Sequence, residues 1–237
     1  MLLKTEGIVL RTIKYRETSV ISDIYTAEKG LLSVLANGVR KQKSRMGAAL
    51  FQPSSIVDIV LYYKESSKLH RLKEIKIATP LFSINEKIKK IAIAQFIIEI
   101  SKKTATNQDP SPHLFSFIRN HLIQLENTPS PDSLQPLKFL LELCPFLGIT
   151  PDFDRIRNGF FDMKEGTTVI TQPNHPHFLS PEKASILMDI SKSEICPSVK
   201  LEDRREILSA MLDYYKIHID GMKELNSPEI LRIILER

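Results

Sequence analysis

The chain has 237 residues, 42% hydrophobic and 26% charged, enough apolar material for one large or two ordinary globular domains. Its most apolar run, Ile91 to Ile100, is broken by Gln95 and Glu99, far short of the ~20 residues that span a bilayer. Two distant cysteines, Cys144 and Cys196, exclude a disulfide scaffold and suit a reducing compartment. The opening residues show no basic region leading into an apolar stretch, so no secretion signal and a cytoplasmic protein are expected.

The net charge of +5 is unevenly spread. Residues 1–80 carry 14 Lys and Arg against 7 Asp and Glu, a net of +7, whereas residues 81–237 have a net of −2. A basic excess of that density suits a module that binds a polyanion, since each cation placed on a phosphate releases a counterion; a merely solubilising surface is the plain alternative.

The first third reads as strands. Leu3 to Thr12 and Ser19 to Thr26 have a loose period of two, and Gly30 supplies the positive φ of a turn into Leu31 to Asn37. Phe51 to Tyr63 is rich in β-branched and aromatic residues, Ser66-Ser67 turns the chain, and Lys68 to Thr79 alternates up to Pro80. Five strands in about 80 residues suggest a small closed barrel of the OB-fold type.

From residue 81 the period becomes helical. Ser83 and Glu86 are expected to form a capping box ahead of Ile84, Ile88, Ile91 and Ile98. Thr104 to Pro112 reads as a polar linker, and Ser111-Pro112, Ser180-Pro181 and Ser227-Pro228 each read as a helix start. A leucine stripe from Leu134 stops at Gly148, and Ile207 to Tyr215 lies in a long helix ending near Gly221. About six helices are expected, interrupted by a β-hairpin over Gly159–Met163 and Thr168–Ile170. The expected architecture is α+β: a five-stranded OB-fold barrel (1–80), then an α-helical domain (81–237) with a small hairpin inserted at about 155–180.

Gly38-Val39-Arg40-Lys41-Gln42-Lys43-Ser44-Arg45-Met46-Gly47 is the most informative segment, with four cations between two glycines and two strands. Arg40, Lys41, Lys43 and Arg45 are candidate phosphate contacts, and Arg11, Lys14, Arg16 and Arg71 could extend them. Tyr15, between Lys14 and Arg16, is the tyrosine expected to be exposed for base stacking, while most of Tyr25, Tyr62 and Tyr63 should pack the barrel. Catalytic patterns are absent: there is no phosphate-binding glycine loop and no nucleophile elbow. Asp152-Phe153-Asp154 reads as a cap or loop, His175-Pro176-His177 lacks cysteine neighbours for zinc, and Cys144 reads as a buried small hydrophobe.

Lys4-Thr5-Glu6-Gly7-Ile8-Val9-Leu10-Arg11-Thr12, then Tyr15, Glu17, Ser19, Tyr25-Thr26, Gly30, Gly38, Arg40, Lys43-Ser44-Arg45 and Gln52-Pro53, resembles the opening of the bacterial RecO recombination mediators. Gly148-Ile149-Thr150-Pro151-Asp152, Asp154-Arg155 and Leu179-Ser180 continue the likeness. The resemblance implies binding of single- and double-stranded DNA and annealing of complementary strands without a cofactor or nucleotide hydrolysis. It also implies action with a RecR-type protein and docking of the acidic tail of single-stranded-DNA-binding protein on the helical domain, in a cytoplasmic, nucleoid-associated setting. Arg119 and Lys138 are candidate cations for that tail. Many members carry a four-cysteine zinc site on the hairpin; here 155–180 contains no cysteine, so a metal-free hairpin held by Phe160, Phe161, Val169 and Ile170 is expected. Two other readings stand beside the mediator: an adaptor that works through protein contacts, and an RNA-binding OB-fold protein.

Overall fold

The computed structural model describes residues 1–39, 47–105, 110–153, 156, 158–192, 198–222 and 225–235. Packing divides the chain into two compact units, Met1–Pro129 and Ser130–Arg237.

In the first unit β1 (Leu2–Tyr15), β2 (Ser19–Thr26), β3 (Gly30–Ala36), β4 (Ile56–Tyr62) and β5 (His70–Thr79) close a barrel in the order β1-β2-β3-β5-β4. All pairs are antiparallel except β3 with β5. The alternation anticipated in the sequence sends Leu3, Val9, Val20, Ile24, Val34, Ala36, Val57, Ile59, Leu61 and Leu72 inward as one core. Gly30 adopts φ +62 at the β2–β3 turn, where the Cα of Pro110 lies 3.3 Å from where its Cβ would be. β1 runs three residues past its expected end, with a register shift between Val9 and Arg11 that bends the strand around the barrel.

Among the described residues three α-helices complete this unit: α1 (Phe82–Glu86), α2 (Ile88–Ala105) and α3 (Pro112–Asn127). The Ser83–Glu86 capping box does not form. Ser83 lies inside α1, and the α1 N-terminus is capped from 43 residues away: Ser83 N and Ile84 N donate to the Glu126 carboxylate at 2.8 and 2.9 Å. Burial pushes the Glu126 carboxyl up, but these two amides, the Ser83 hydroxyl and the nearby Lys90 outweigh it and hold it below the usual carboxylate range. Lys90 is itself 1% exposed and donates at 2.6 Å to both Ser83 Oγ and the Glu126 carbonyl. At α3 the expected cap does form, Ser111 Oγ accepting from Leu114 N with Pro112 following. Both long helices cover the outer face of the barrel: Tyr25 stacks on Phe115, Lys102 pairs with Asp23 at 3.2 Å, and Arg119 donates to Glu6 at 2.9 Å.

The second unit contains α4 (Gln135–Leu147), α5 (Pro181–Lys192), α6 (Leu201–His218) and α7 (Ser227–Leu235). Gly148 ends α4 at φ +70, as its place after the leucine stripe suggests. Cys144 is fully buried beside the Tyr215 hydroxyl, which donates to the Leu140 carbonyl at 2.6 Å. The hairpin forms as β6 (Phe160–Asp162) and β7 (Thr167–Val169), and a third strand, β8 (Phe178–Leu179), pairs with β6. Phe161 is fully buried, 5.0 Å from Phe153 and 5.7 Å from Tyr214, and Phe160 packs edge-on against Phe178. Ile170 does not contribute as expected; it is 77% exposed, beyond the end of β7. Among the described residues no helix is long and apolar enough to cross a membrane.

Candidate nucleic-acid interface

The helices divide the barrel exterior into two territories. On the covered side the cations are matched: Lys102 with Asp23 and Arg119 with Glu6, the latter also reaching Thr79 Oγ1 at 3.3 Å. Lys76, on β5, pairs with Asp58 of β4 at 3.3 Å.

Arg11, Lys14, Arg16 and Arg71 are exposed, and among the described residues none forms an ion pair. Arg11 projects from β1 opposite Asp23, and Lys14 stands opposite Val20 near the β1–β2 turn. Arg16 occupies that turn at φ +52, a left-handed conformation that disfavours a side chain, with its guanidinium 5.3 Å from the Tyr15 ring centroid. Tyr15 is therefore half-buried rather than open. A shallow recess at this end is lined by Arg16, Glu17, Thr18, Ser19, Asn37 and Gly38, with Ser19 Oγ donating to Asn37 Oδ1 at 3.0 Å. The β1–β2 turn thus stands beside the residues that lead into the basic segment. Arg40, Lys41, Lys43 and Arg45 themselves lie outside the described residues. Val39 and Phe51, before and after it in sequence, belong to the barrel core.

Arg71 is reached by a register that linear spacing conceals. Ile13 pairs with Ile21, Ile21 with Leu35, Leu35 with Arg71, Arg71 with Tyr62 and Tyr62 with Leu2. These positions alternate with core residues (Val20, Val34, Leu72, Leu61, Leu3), so the row runs around the outside of the barrel. Ile13 is 42%, Tyr62 52% and Leu2 53% exposed. Tyr62, expected among the packed tyrosines, is the open one; Tyr25 is buried, and Tyr63 stacks at 4.9 Å on the buried His70. Sequence reasoning missed Tyr62 because it ends an apolar strand; strict alternation with Ile59 and Leu61 inward was the available signal.

In the second unit, Asp162 Oδ1 accepts from Lys164 N and Glu165 N to close the hairpin turn, while Oδ2 faces His175 Nε2 at 3.3 Å. Asp162 and His175, without a thiolate, do not fit the four-cysteine zinc site implied for many RecO-like proteins, and among the described residues no three His, Cys, Asp or Glu converge as a metal site. A groove of about 550 Å³ is lined by Leu137, Leu208, Leu212 and Leu231 together with Arg204 and Arg232. Of the two cations considered for an acidic tail, Arg119 is committed to Glu6, and Lys138 lines a separate cleft with Phe153 and Ile190.

Strand order, the lone parallel β3–β5 pair and the appended helices define an OB-fold protein with a helical C-terminal region. The family model described as "Recombination protein O N terminal" matches residues 1–81, and "Recombination protein O C terminal" matches residues 85–228. The "DNA repair protein RecO" of Phocaeicola vulgatus is 34% identical over 238 residues, covering 98% of each chain. Those of Flavobacterium psychrophilum (32%, 98% of each chain) and Bacteroides fragilis (28%, 100% of each) are also similar. The chain belongs to the RecO family of DNA repair proteins.

Proposed function

We propose that this protein is a non-enzymatic recombination mediator that binds single- and double-stranded DNA through its barrel, residues 1–80, and anneals complementary strands. The observation that carries the reading is the segregation of charge: Arg11, Lys14, Arg16 and Arg71 are exposed without ion pairs among the described residues, while Lys76, Lys102 and Arg119 are neutralised. Cations of the first kind remain available to phosphates. Arg40, Lys41, Lys43 and Arg45 would add four more cations. Annealing requires only that two phosphate backbones be neutralised long enough for bases to pair, so no cofactor is needed.

Within the helical residues 81–237 we place partner binding. The groove beside Leu137, Leu208 and Leu231 suits an acidic, apolar-ended peptide such as the tail of single-stranded-DNA-binding protein, with Arg204 and Arg232 for its carboxylates. A RecR-type protein would complete the machinery that loads recombinase onto DNA in the cytoplasm, at the nucleoid. The test is annealing of short complementary DNAs with EDTA and without ATP. Fast annealing that fades with salt is expected; its absence, with tight partner binding retained, would replace the mediator by an adaptor.

A further inference from the structure

The phosphate contacts above do not distinguish a single strand from a duplex, since both present the same charged backbone. The row Leu35–Arg71–Tyr62–Leu2 does. Its members are in direct cross-strand register on β3, β5, β4 and β1. Adjacent strands lie ~4.8 Å apart, so the row is about 14 Å long, enough for three or four unpaired bases. Tyr62 is the exposed aromatic of the row and Arg71 its cross-strand neighbour, a pairing of ring and guanidinium that can hold a base between two planar groups. Leu2 and, at the far end, Ile13 extend the apolar surface, at 53% and 42% exposure. Open apolar side chains in register along one barrel wall mark a contact surface. Duplex DNA has little use for them either, because its bases are stacked on each other and its outer surface is phosphate and groove edge.

We infer that this row is a base-stacking platform centred on Tyr62 and Arg71, and that it gives the protein a preference for unpaired DNA. The inference rests on the DNA-binding reading above and adds the state of the strand. It also places the platform on the β3-β5-β4 wall, since α2 and α3 cover the Tyr25 and Asp23 region of β2. Tyr63 takes no part: it is half-buried, stacked on His70 and bonded through its backbone to Met1.

The full-length protein is titrated, at fixed salt, with a fluorescent oligo-dT and with a blunt duplex of equal length. Tyr62→Ala should weaken oligo-dT binding by about five- to a hundred-fold, leave duplex binding within twofold and leave the salt slope on either unchanged. Tyr62→Phe should bind as the parent does. The chain contains no tryptophan, so Tyr62→Trp supplies a single emitter whose fluorescence should be quenched by oligo-dT and not by duplex. Unchanged oligo-dT affinity in Tyr62→Ala, or equal losses on both DNAs, would overturn the platform while leaving the DNA-binding reading intact. If the parent protein binds neither DNA, it is that underlying reading which fails.

Discussion

The sharpest quantitative consequence of the charge segregation concerns salt. A variant with Arg11, Lys14, Arg16 and Arg71 all replaced by Gln removes four cations that have no ion pair among the described residues. Arg11 and Arg16 are five residues apart on and after β1, about 17 Å, so one strand of DNA can meet several of the four together. Each phosphate contact on a single strand contributes ~0.7 to the slope of log affinity against log salt, so the variant's slope should be lower by about 2.8. On duplex, at ~0.9 per contact, the reduction should be about 3.6. Between roughly 50 and 200 mM salt the parent should therefore lose about fifty-fold more of its single-strand affinity than the variant does. Fluorescence anisotropy across a salt series measures this directly. A residual slope is expected from the untouched Arg40, Lys41, Lys43 and Arg45. Lys76→Gln is the control, because its ammonium already faces Asp58 at 3.3 Å; its slope should match the parent's. An unchanged slope in the fourfold variant, or an equal fall in Lys76→Gln, would refute the assignment of phosphate binding to unpaired cations.

Other consequences follow from single residues. Arg16→Gly should relieve the φ +52 strain and stabilise the fold by up to about 1 kcal/mol while weakening DNA binding; a loss of stability in urea unfolding would mean that the Arg16–Tyr15 contact holds the turn. Glu126→Gln should cost about 1–2 kcal/mol at neutral pH through the weakened α1 cap and the lost charge beside Lys90. Because the Glu126 pKa is depressed in the folded state, its contribution is complete above the unfolded value near 4.5 and vanishes as pH falls through the folded one. The parent–variant gap should therefore close in acid, and a gap that persists there would dismiss the carboxylate cap. Burial, against a smaller opposing effect of the Tyr215 hydroxyl, pushes the Cys144 thiol up to about 11, so a thiol reagent at pH 8 should label it only after unfolding, as peptide mapping would reveal.

The barrel was legible in the sequence because strand alternation and turn chemistry are local. β2 begins and ends where the period of two does, and Gly30 turns it into β3 with the positive φ that its position required. What escaped was set by contacts distant in sequence. The α1 cap comes from Glu126 at the end of another helix, so a local Ser–Glu pattern at 83 and 86 pointed to the wrong partner. The two-residue β8 exists only through its pairing with β6 and has no period of its own. The platform row draws on residues 13, 21, 35, 71, 62 and 2, an order dictated by barrel closure and the shear of its strands, which no linear window contains. The cations were visible as residues, but which of them are paired depends on where α2 and α3 dock.

That docking also explains why a modest net charge can produce a strongly polarised surface. Glu6 and Asp23 are two of the seven acidic residues in the first 80, and both are engaged by cations from the helices, Arg119 and Lys102. Asp58 is engaged by Lys76 within the barrel. Three acidic side chains are thereby engaged, and the helices' own positive charges are neutralised where they touch the barrel. The same contacts that fix α2 and α3 leave Arg71 and the apolar row uncovered. On the proposed function, helix packing and DNA binding share one electrostatic arrangement: reversing Arg119 to Glu would set a carboxylate against Glu6 and loosen the helix, and weaker binding of oligo-dT should follow.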